Sequence, residues 1–366
     1  MNSLLSLVDD ALSDPTACAR AVRAAGGRVI GFVGTDVPVE LIVAADAFPL
    51  LLPAQATHRP ALRAAAYLEP SFAPLERSIA EQWLGGEFDF VESVVFTRAA
   101  DSAQRLYYYL CELQRRKLCD GPVPLLYDLA KIPRASSADY AQLATSRLAQ
   151  ALGSDAGRVR TGIEIRNHRR ELLRRLQGLR QQPAAPNGTV VERVQRAADR
   201  CHAGQFDQAL TAWLNLPRPA HSGPRLILAG SAPPDARLHE AVEQAGGLVI
   251  AEWGDHALTR LGAPIDCGSD PIKALSSHYH TLPHGPRMFA DCAAGLFELV
   301  RSGAADGVIF WLLEEEEALV WDLPQQQRAL RERCIPMLTL ARCRWDIDEA
   351  ALAAVRDFAA ELGKRA

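Results

Sequence analysis

Two segments, beginning at Arg28 and at Arg225, repeat one succession of apolar and polar positions. The first runs Arg28-Val-Ile-Gly-Phe-Val-Gly34, turns through Thr35-Asp-Val-Pro-Val-Glu40, enters an apolar stretch of helical character and closes on Phe48-Pro-Leu-Leu-Leu52. The second runs Arg225-Leu-Ile-Leu-Ala-Gly230, turns through Ser231-Ala-Pro-Pro-Asp235, continues as a helical pattern over Ala236–Ala245 and closes on Gly247-Leu-Val-Ile-Ala251. Each copy predicts a buried strand, a small-residue turn, a helix and a returning strand. That is a βαβ unit, whose parallel strands require a crossover helix.

Further elements follow from the same periodicities. Residues 2–26 predict one helix closed by Gly26-Gly27. Strands are expected at Ser93–Thr97, Val123–Asp128, Gly307–Leu312 and Pro336–Ala341, with a helical pattern over Asp101–Arg115 between the first two. Residues 136–182 are helical and charge-rich, interrupted near Gly153–Gly157. A loop at Gln181–Gly188, a short helix near Val190–Ala203 and the proline-bearing stretch Leu216–Pro224 come next, and an amphipathic helix over Ile347–Leu362 ends the pattern. The predicted fold class is α/β: two doubly wound, Rossmann-like parallel-sheet domains joined by a helical middle region. The expected divisions are 1–135 (N-terminal helix plus first α/β domain), 136–223 (helical connection) and 224–366 (second α/β domain). Ligands of such sheets sit beyond the carboxyl ends of the strands, so two ligand edges are expected, facing one another across a cleft.

Composition narrows the classes. A chain of 366 residues exceeds one ordinary core. A net charge of −4 gives no electrostatic reason for nucleic-acid or membrane binding. The start, Met1-Asn-Ser-Leu-Leu-Ser-Leu-Val-Asp-Asp10, lacks the basic region of a signal peptide, and no run has the length of a membrane span, so a cytoplasmic protein is expected. Eight cysteines (Cys18, Cys111, Cys119, Cys201, Cys267, Cys292, Cys334 and Cys343) form no CxxC pair and have no ordinary zinc or iron–sulfur spacing. They are read as reduced thiols, mostly small buried hydrophobes. The arginine-rich stretch Arg158–Arg180 is read as a solvated helix face, its arginines mixed with Leu172, Leu173, Leu176 and Leu179.

Neither strand–turn carries GxGxxG or GxxxxGK[ST], and neither GxSxG nor HExxH occurs, which argues against classical dehydrogenase and P-loop readings. The candidates left are polar groups at strand carboxyl ends. In the first unit they are Thr35, Asp36, Glu40, Thr97, Arg98 and Asp101; in the second, Ser231, Asp235, Glu252, His256 and the run Glu314–Glu317. Asp101, Ser102 and Asp235 also fit helix caps. The glutamate run is either an exposed helix start or part of a site for a cation.

The segments Gly31–Pro53, Asp89–Leu113 (with Asp-Ser-Ala-Gln-Arg-Leu-Tyr-Tyr-Tyr-Leu), Pro224–Glu252, Asp270–Tyr279 and Ala305–Pro336 together resemble the 2-hydroxyacyl-CoA dehydratase and benzoyl-CoA reductase subunit family, in the family's segment order and over nearly the whole chain. The resemblance implies two Rossmann-like domains with a four-iron cluster between them, an ATP-hydrolysing activator that delivers one electron, and a thioester ketyl that expels the 2-hydroxyl group. It also implies three cysteine thiolates on the cluster. Their positions fall here at Ala73, at Ala100 and within Glu314–Glu317, and none of the eight cysteines lies at any of them. Iron–sulfur clusters take thiolates, and carboxylates suit oxygen-loving ions.

No cofactor is therefore expected on this chain, and a 4Fe-4S cluster is expected only on a homologous partner subunit. Three readings stay open. The chain is a dehydratase-like or reductase-like subunit acting on or binding an acyl-CoA thioester beside such a partner. It is a cluster-free lyase using Arg98, Asp101 and Glu315, with Thr35, Asp36, Glu40 and Ser231 as ligand-binding groups. Or it is a non-catalytic binding or regulatory protein on the same scaffold.

Overall fold

A computed structural model describes residues 3–55, 61–98, 101–254, 262–282, 291–316 and 318–364. It contains two all-parallel four-stranded sheets. The first comprises β1 (Arg28–Val33), β2 (Ala47–Leu51), β3 (Ser93–Thr97) and β4 (Val123–Tyr127) in the order β2-β1-β3-β4. The second comprises β5 (Arg225–Gly230), β6 (Leu248–Gly254), β7 (Gly307–Leu313) and β8 (Met337–Cys343) in the order β6-β5-β7-β8. The two sheets share one topology, as the repeated pattern predicts. In each, the chain reverses direction across the sheet between its two central strands, which places the crevice of a doubly wound fold at β1/β3 and at β5/β7.

Helices supply the crossovers. α1 (Ser3–Ser13) and α2 (Ala17–Ala24) precede β1, and α3 (Val39–Ala44) joins it to β2. α4 (Leu62–Ala65) and α5 (Pro74–Leu84) lie before β3, and α6 (Asp101–Arg115) joins β3 to β4. α7 (Ala135–Leu152), α8 (Ala156–Arg180), α9 (Gly188–Ala197) and α10 (Ala203–Leu214) fill the span between the sheets. α11 (Arg237–Gln244) joins β5 to β6, α12 (Pro271–Thr281) and α13 (Cys292–Gly303) lie between β6 and β7, α14 (Ala318–Arg331) joins β7 to β8, and α15 (Glu349–Gly363) follows.

Alternation along the strands explains why both sheet faces are covered. Ile30, Phe32 and Val95 point to a core shared with α3 and α7, whereas Val29, Val33, Val94 and Phe96 point to α5 and α6. In the second sheet, Leu226, Leu228, Ile309 and Trp311 meet α11 and α15, and Ile227, Ala229, Val308 and Phe310 meet α13. A separate helical core joins Leu4 and Val8 of α1 to Leu173, Leu176, Val194, Phe206 and Leu210. Ile265, Leu275 and Tyr279, which lie between β6 and β7 in sequence, pack into the core of the first sheet. Among the described residues no helix is long and apolar enough to cross a membrane.

Four details differ from the sequence reading. The single helix over residues 2–26 is two, because Pro15 cannot continue α1 and Asp14 accepts from the Thr16 N–H at the break. The helix near Val190–Ala203 ends at Ala197. A further helix, α10, follows it with Phe206, Leu210 and Trp213 at helical spacing. Only Cys201 and Cys267 are buried; five cysteines are half-buried and Cys334 is exposed.

The largest correction concerns α8. Only some of its arginines form a solvated face: Arg158, Arg174 and Arg175 are exposed, and four others are not. Arg166, Arg169, Arg170 and Arg180 are all buried, and each is matched to a carboxylate brought from elsewhere. Arg166 pairs with Asp199 at 2.7 Å, Arg169 with Asp207, Arg170 with Glu40, and Arg180 with both oxygens of Glu252 at 2.6 Å. The helix thus ties α3, the turn between α9 and α10, α10 itself and strand β6 to one rod. Gly162 lets α8 approach α3, because a Cβ there would run into the Glu40 carbonyl oxygen.

Candidate functional site

The two crevices are built on the same local device. Each central strand ends in a glycine with positive φ, Gly34 at +93° and Gly230 at +110°, a conformation that side chains with a Cβ resist. A Cβ at Gly34 would meet the Thr97 hydroxyl of β3, and one at Gly230 would meet the Trp311 carbonyl of β7. The glycines therefore let β1 and β5 turn hard against their neighbouring strands and expose the following residues at the crevice.

At the first crevice the structure brings several sequence-identified residues together. Thr35 is half-buried, and Asp36 is buried in an ion pair with Lys131 at 3.0 Å. Arg98, at the end of β3, has a side chain 45% exposed and pairs with Asp128 at 3.4 Å. Asp128 also accepts from the Tyr140 hydroxyl at 2.7 Å. Asp101 opens α6 and is exposed, and Ser102 accepts from the Ala73 N–H at 3.1 Å. Lys131, Asp128 and Tyr140 were missed by the sequence reading. Asp128 and Lys131 stand just past β4, as Thr35 and Asp36 stand past β1, so the strand-end rule reaches them too.

Glu40 is elsewhere in character. It is fully buried, held by Arg170 and by the Tyr279 hydroxyl at 2.9 Å. Burial pushes its carboxyl upward, and the Arg170 and Arg166 guanidiniums outweigh that, leaving it below the usual carboxylate range. Glu252 behaves alike: burial raises it, but Arg180 and His239 hold it well below that range. The His239 Nε2 lies 2.9 Å from Glu252, so the ring donates from Nε2 to the ionised carboxylate.

At the second crevice Ser231 is buried, and its hydroxyl accepts from the Leu313 N–H at 3.2 Å, bracing β5 to β7. Glu314 and Glu315 lie in an exposed turn, with Glu314 paired to Arg342 at 2.8 Å. Glu316 accepts from the Ala318 and Leu319 N–H groups, which makes it the cap of α14. Asp235 accepts from the Arg237 N–H at 3.0 Å, a capping role for α11. His256, Ala100 and Glu317 lie outside the described residues. Arg98 and Asp101 thus belong to the β3 edge and Glu315 to the β7 edge.

The two sheets also share an open pocket of ≈ 560 Å³. Its walls include Pro53–Gln55, beyond the carboxyl end of β2, and Pro234–Arg237, beyond that of β5, together with α1 and one face of α9. Thr35, Asp36, Arg98, Asp101, Ser231 and Glu315 do not line it.

The donor chemistry can be tested against a four-iron cluster. Ala73 is the N-cap of α5, and its N–H donates to Ser102 at the start of α6. A methyl group thus occupies the first of the three positions implied for thiolates. The third falls in the turn of Glu314–Glu316. Among the described residues no group of three or more His, Cys, Asp and Glu side chains is arranged to hold a metal ion. Several of the thiols are held protonated by their surroundings. Burial and Asp322 push Cys292 up to about 12, burial and Cys18 push Cys201 up to about 11, and burial raises Cys267 and Cys343. Neither Ala73 nor Glu314–Glu316 offers the thiolate that an iron–sulfur cluster takes.

A family model described as 2-hydroxyglutaryl-CoA dehydratase, D-component, matches residues 35–354. No curated protein matches the chain.

Proposed function

The chain belongs to the 2-hydroxyglutaryl-CoA dehydratase D-component family, and from that premise we propose that it is one subunit of an acyl-CoA dehydratase-type or reductase-type complex. In this reading it binds an acyl-CoA thioester or completes its cleft, while a homologous, cysteine-bearing subunit supplies the 4Fe-4S cluster and receives the electron from an ATP-dependent activator. The observation that carries the proposal is a family match over most of the chain; alanine and glutamate at the positions where the resemblance implies thiolates support it. The setting proposed is the reducing cytoplasm, where cysteines stay out of disulfides.

The chain's own contribution is positional and electrostatic. Arg98 can donate to a thioester carbonyl or an acyl carboxylate, and its pairing with Asp128 fixes the direction of the guanidinium. Asp101 offers an exposed carboxylate at the same edge, able to take a proton from a bound group. Thr35 and Asp36 past Gly34, and Ser231 past Gly230, shape the two crevices. Glu315 contributes from the opposite sheet.

Anaerobic pull-down of the tagged full chain from its source, with metal analysis of the eluate, tests the proposal. The expected result is a co-purifying homologous subunit that carries cysteines and iron. Purification of the chain alone, without a partner and without affinity for any acyl-CoA thioester, would overturn it.

A further inference from the structure

We propose that the pocket walled by α1, α9 and the segments following β2 and β5 binds a phosphate-bearing small molecule, with Arg200 as its charge anchor. The inference stands on this pocket alone and does not require that the chain take part in dehydratase chemistry.

Four arginines line the cavity: Arg193, Arg196, Arg200 and Arg237. Three of them are provided for. Arg193 pairs with Asp9 at 2.6 Å, Arg196 with Glu192 and with the Pro233 carbonyl at 2.9 Å, and Arg237 with Asp235 at 2.9 Å and the Ile347 carbonyl at 3.1 Å. Arg200 is not. Its residue is only 9% exposed, no carboxylate among the described residues stands at ion-pair distance, and its buried Nε has no hydrogen-bond partner. The nearby Asp199 is committed to Arg166. Burial and the neighbouring Arg196 push the Arg200 guanidinium down to about 10, as expected for a cation lacking its counter-charge.

A buried charge is ordinarily paired, so an unpaired one at a cavity wall marks the place of a missing anion. The guanidinium fork matches phosphate in a bidentate fashion, and several forks around one cavity suit a group that carries more than one negative charge. Two carboxylates also line the wall; Asp235 is held by Arg237, and Glu240 lies on α11. The volume falls within the roughly 300–1,000 Å³ of small-molecule pockets, and the location beyond two strand carboxyl ends is where such sheets take ligands.

Two probes carry the required chemistry, pyrophosphate and coenzyme A. Isothermal titration of the full chain should show binding of at least one of them, weakened at least tenfold in Arg200→Met and partly restored in Arg200→Lys, which keeps charge but loses the fork. The same probe should raise the thermal midpoint of the unsubstituted protein and leave that of Arg200→Met unmoved. Tighter binding of coenzyme A assigns the pocket to a nucleotide end, and tighter binding of pyrophosphate to a free phosphate ester; both support the proposal. If Arg200→Met does not fold, Arg193→Gln at the rim should still weaken binding severalfold. Failure of both probes to bind, or unchanged affinity in the variants, would overturn it.

Discussion

α8 and α9 are adjacent helices rich in arginine, and they use it in opposite ways. On α8 four buried guanidiniums each meet a carboxylate, and the partners come from the first sheet, the helical region and the second sheet. In the turn just past α9 the buried Arg200 meets none, and it faces a cavity instead of a core. Both regions bury the same residue type. What separates them is whether the chain itself closes the charge balance. Closed pairs on α8 fasten the two sheets together, and the open charge after α9 marks a place that the fold leaves for something else.

The comparison breaks most visibly at Arg180. Replacing it with Met leaves Glu252 buried beside His239 with no guanidinium, and removing one partner of a buried pair costs about 3–5 kcal/mol. Urea denaturation should register that loss. The double variant Arg180→Met/Glu252→Met should recover much of it, since removing both charges removes the uncompensated one. A near-neutral Arg180→Met would mean that α8 does not fasten the second sheet.

Acid titration gives the next effect. The carboxyls of Glu40 and Glu252 are depressed in the folded state. As pH falls, the unfolded chain takes up their protons first, so folding stability is complete above the ordinary carboxylate range and declines from about pH 5 downward. Urea midpoints measured against pH should show that decline, and Arg180→Met/Glu252→Met should flatten it. An identical acid limb in the double variant would remove Glu252 from the account.

The smallest effect is expected at Arg200. A cation whose proton is held less tightly in the folded state than in water gains nothing electrostatically from folding. Arg200→Met should therefore change stability by no more than about 1 kcal/mol, or raise it. A loss as large as that of Arg180→Met would mean that Arg200 has a structural partner after all.

The contrast also shows what the sequence could carry. The repeat at Arg28 and Arg225 and the glycines at 34 and 230 were legible because each is local: a strand pattern and a turn within a dozen residues. The α8 pairings were not, because Arg170 and Glu40 are 130 residues apart and Arg180 and Glu252 are 72 apart. A signal did exist. Val159, Arg166, Leu173 and Arg180 recur every seven residues on one buried face, so these arginines share the stripe of the leucines and do not oppose it. Counting charge obscured what spacing would have shown. Of the candidate residues, Thr35, Asp36, Arg98 and Asp101 were found by the strand-end rule, and the structure gathers them at one edge. Glu40 followed the same rule and sits in a salt bridge, because polarity at a strand end does not reveal which way the side chain turns. The arginines of α9 escaped because a helix surface carries no motif for an anion.

The matching of donor to partner that separates the two regions also underlies the proposal that a partner subunit, not this chain, carries the cluster: methyl and carboxylate groups stand where the resemblance implies thiolates. The most direct test is electron paramagnetic resonance of the isolated chain, purified and reduced without oxygen, together with iron and sulfide analysis. The account predicts no cubane signal and no stoichiometric iron or sulfide. A reduced-cluster signal accompanied by about four irons per chain would contradict it.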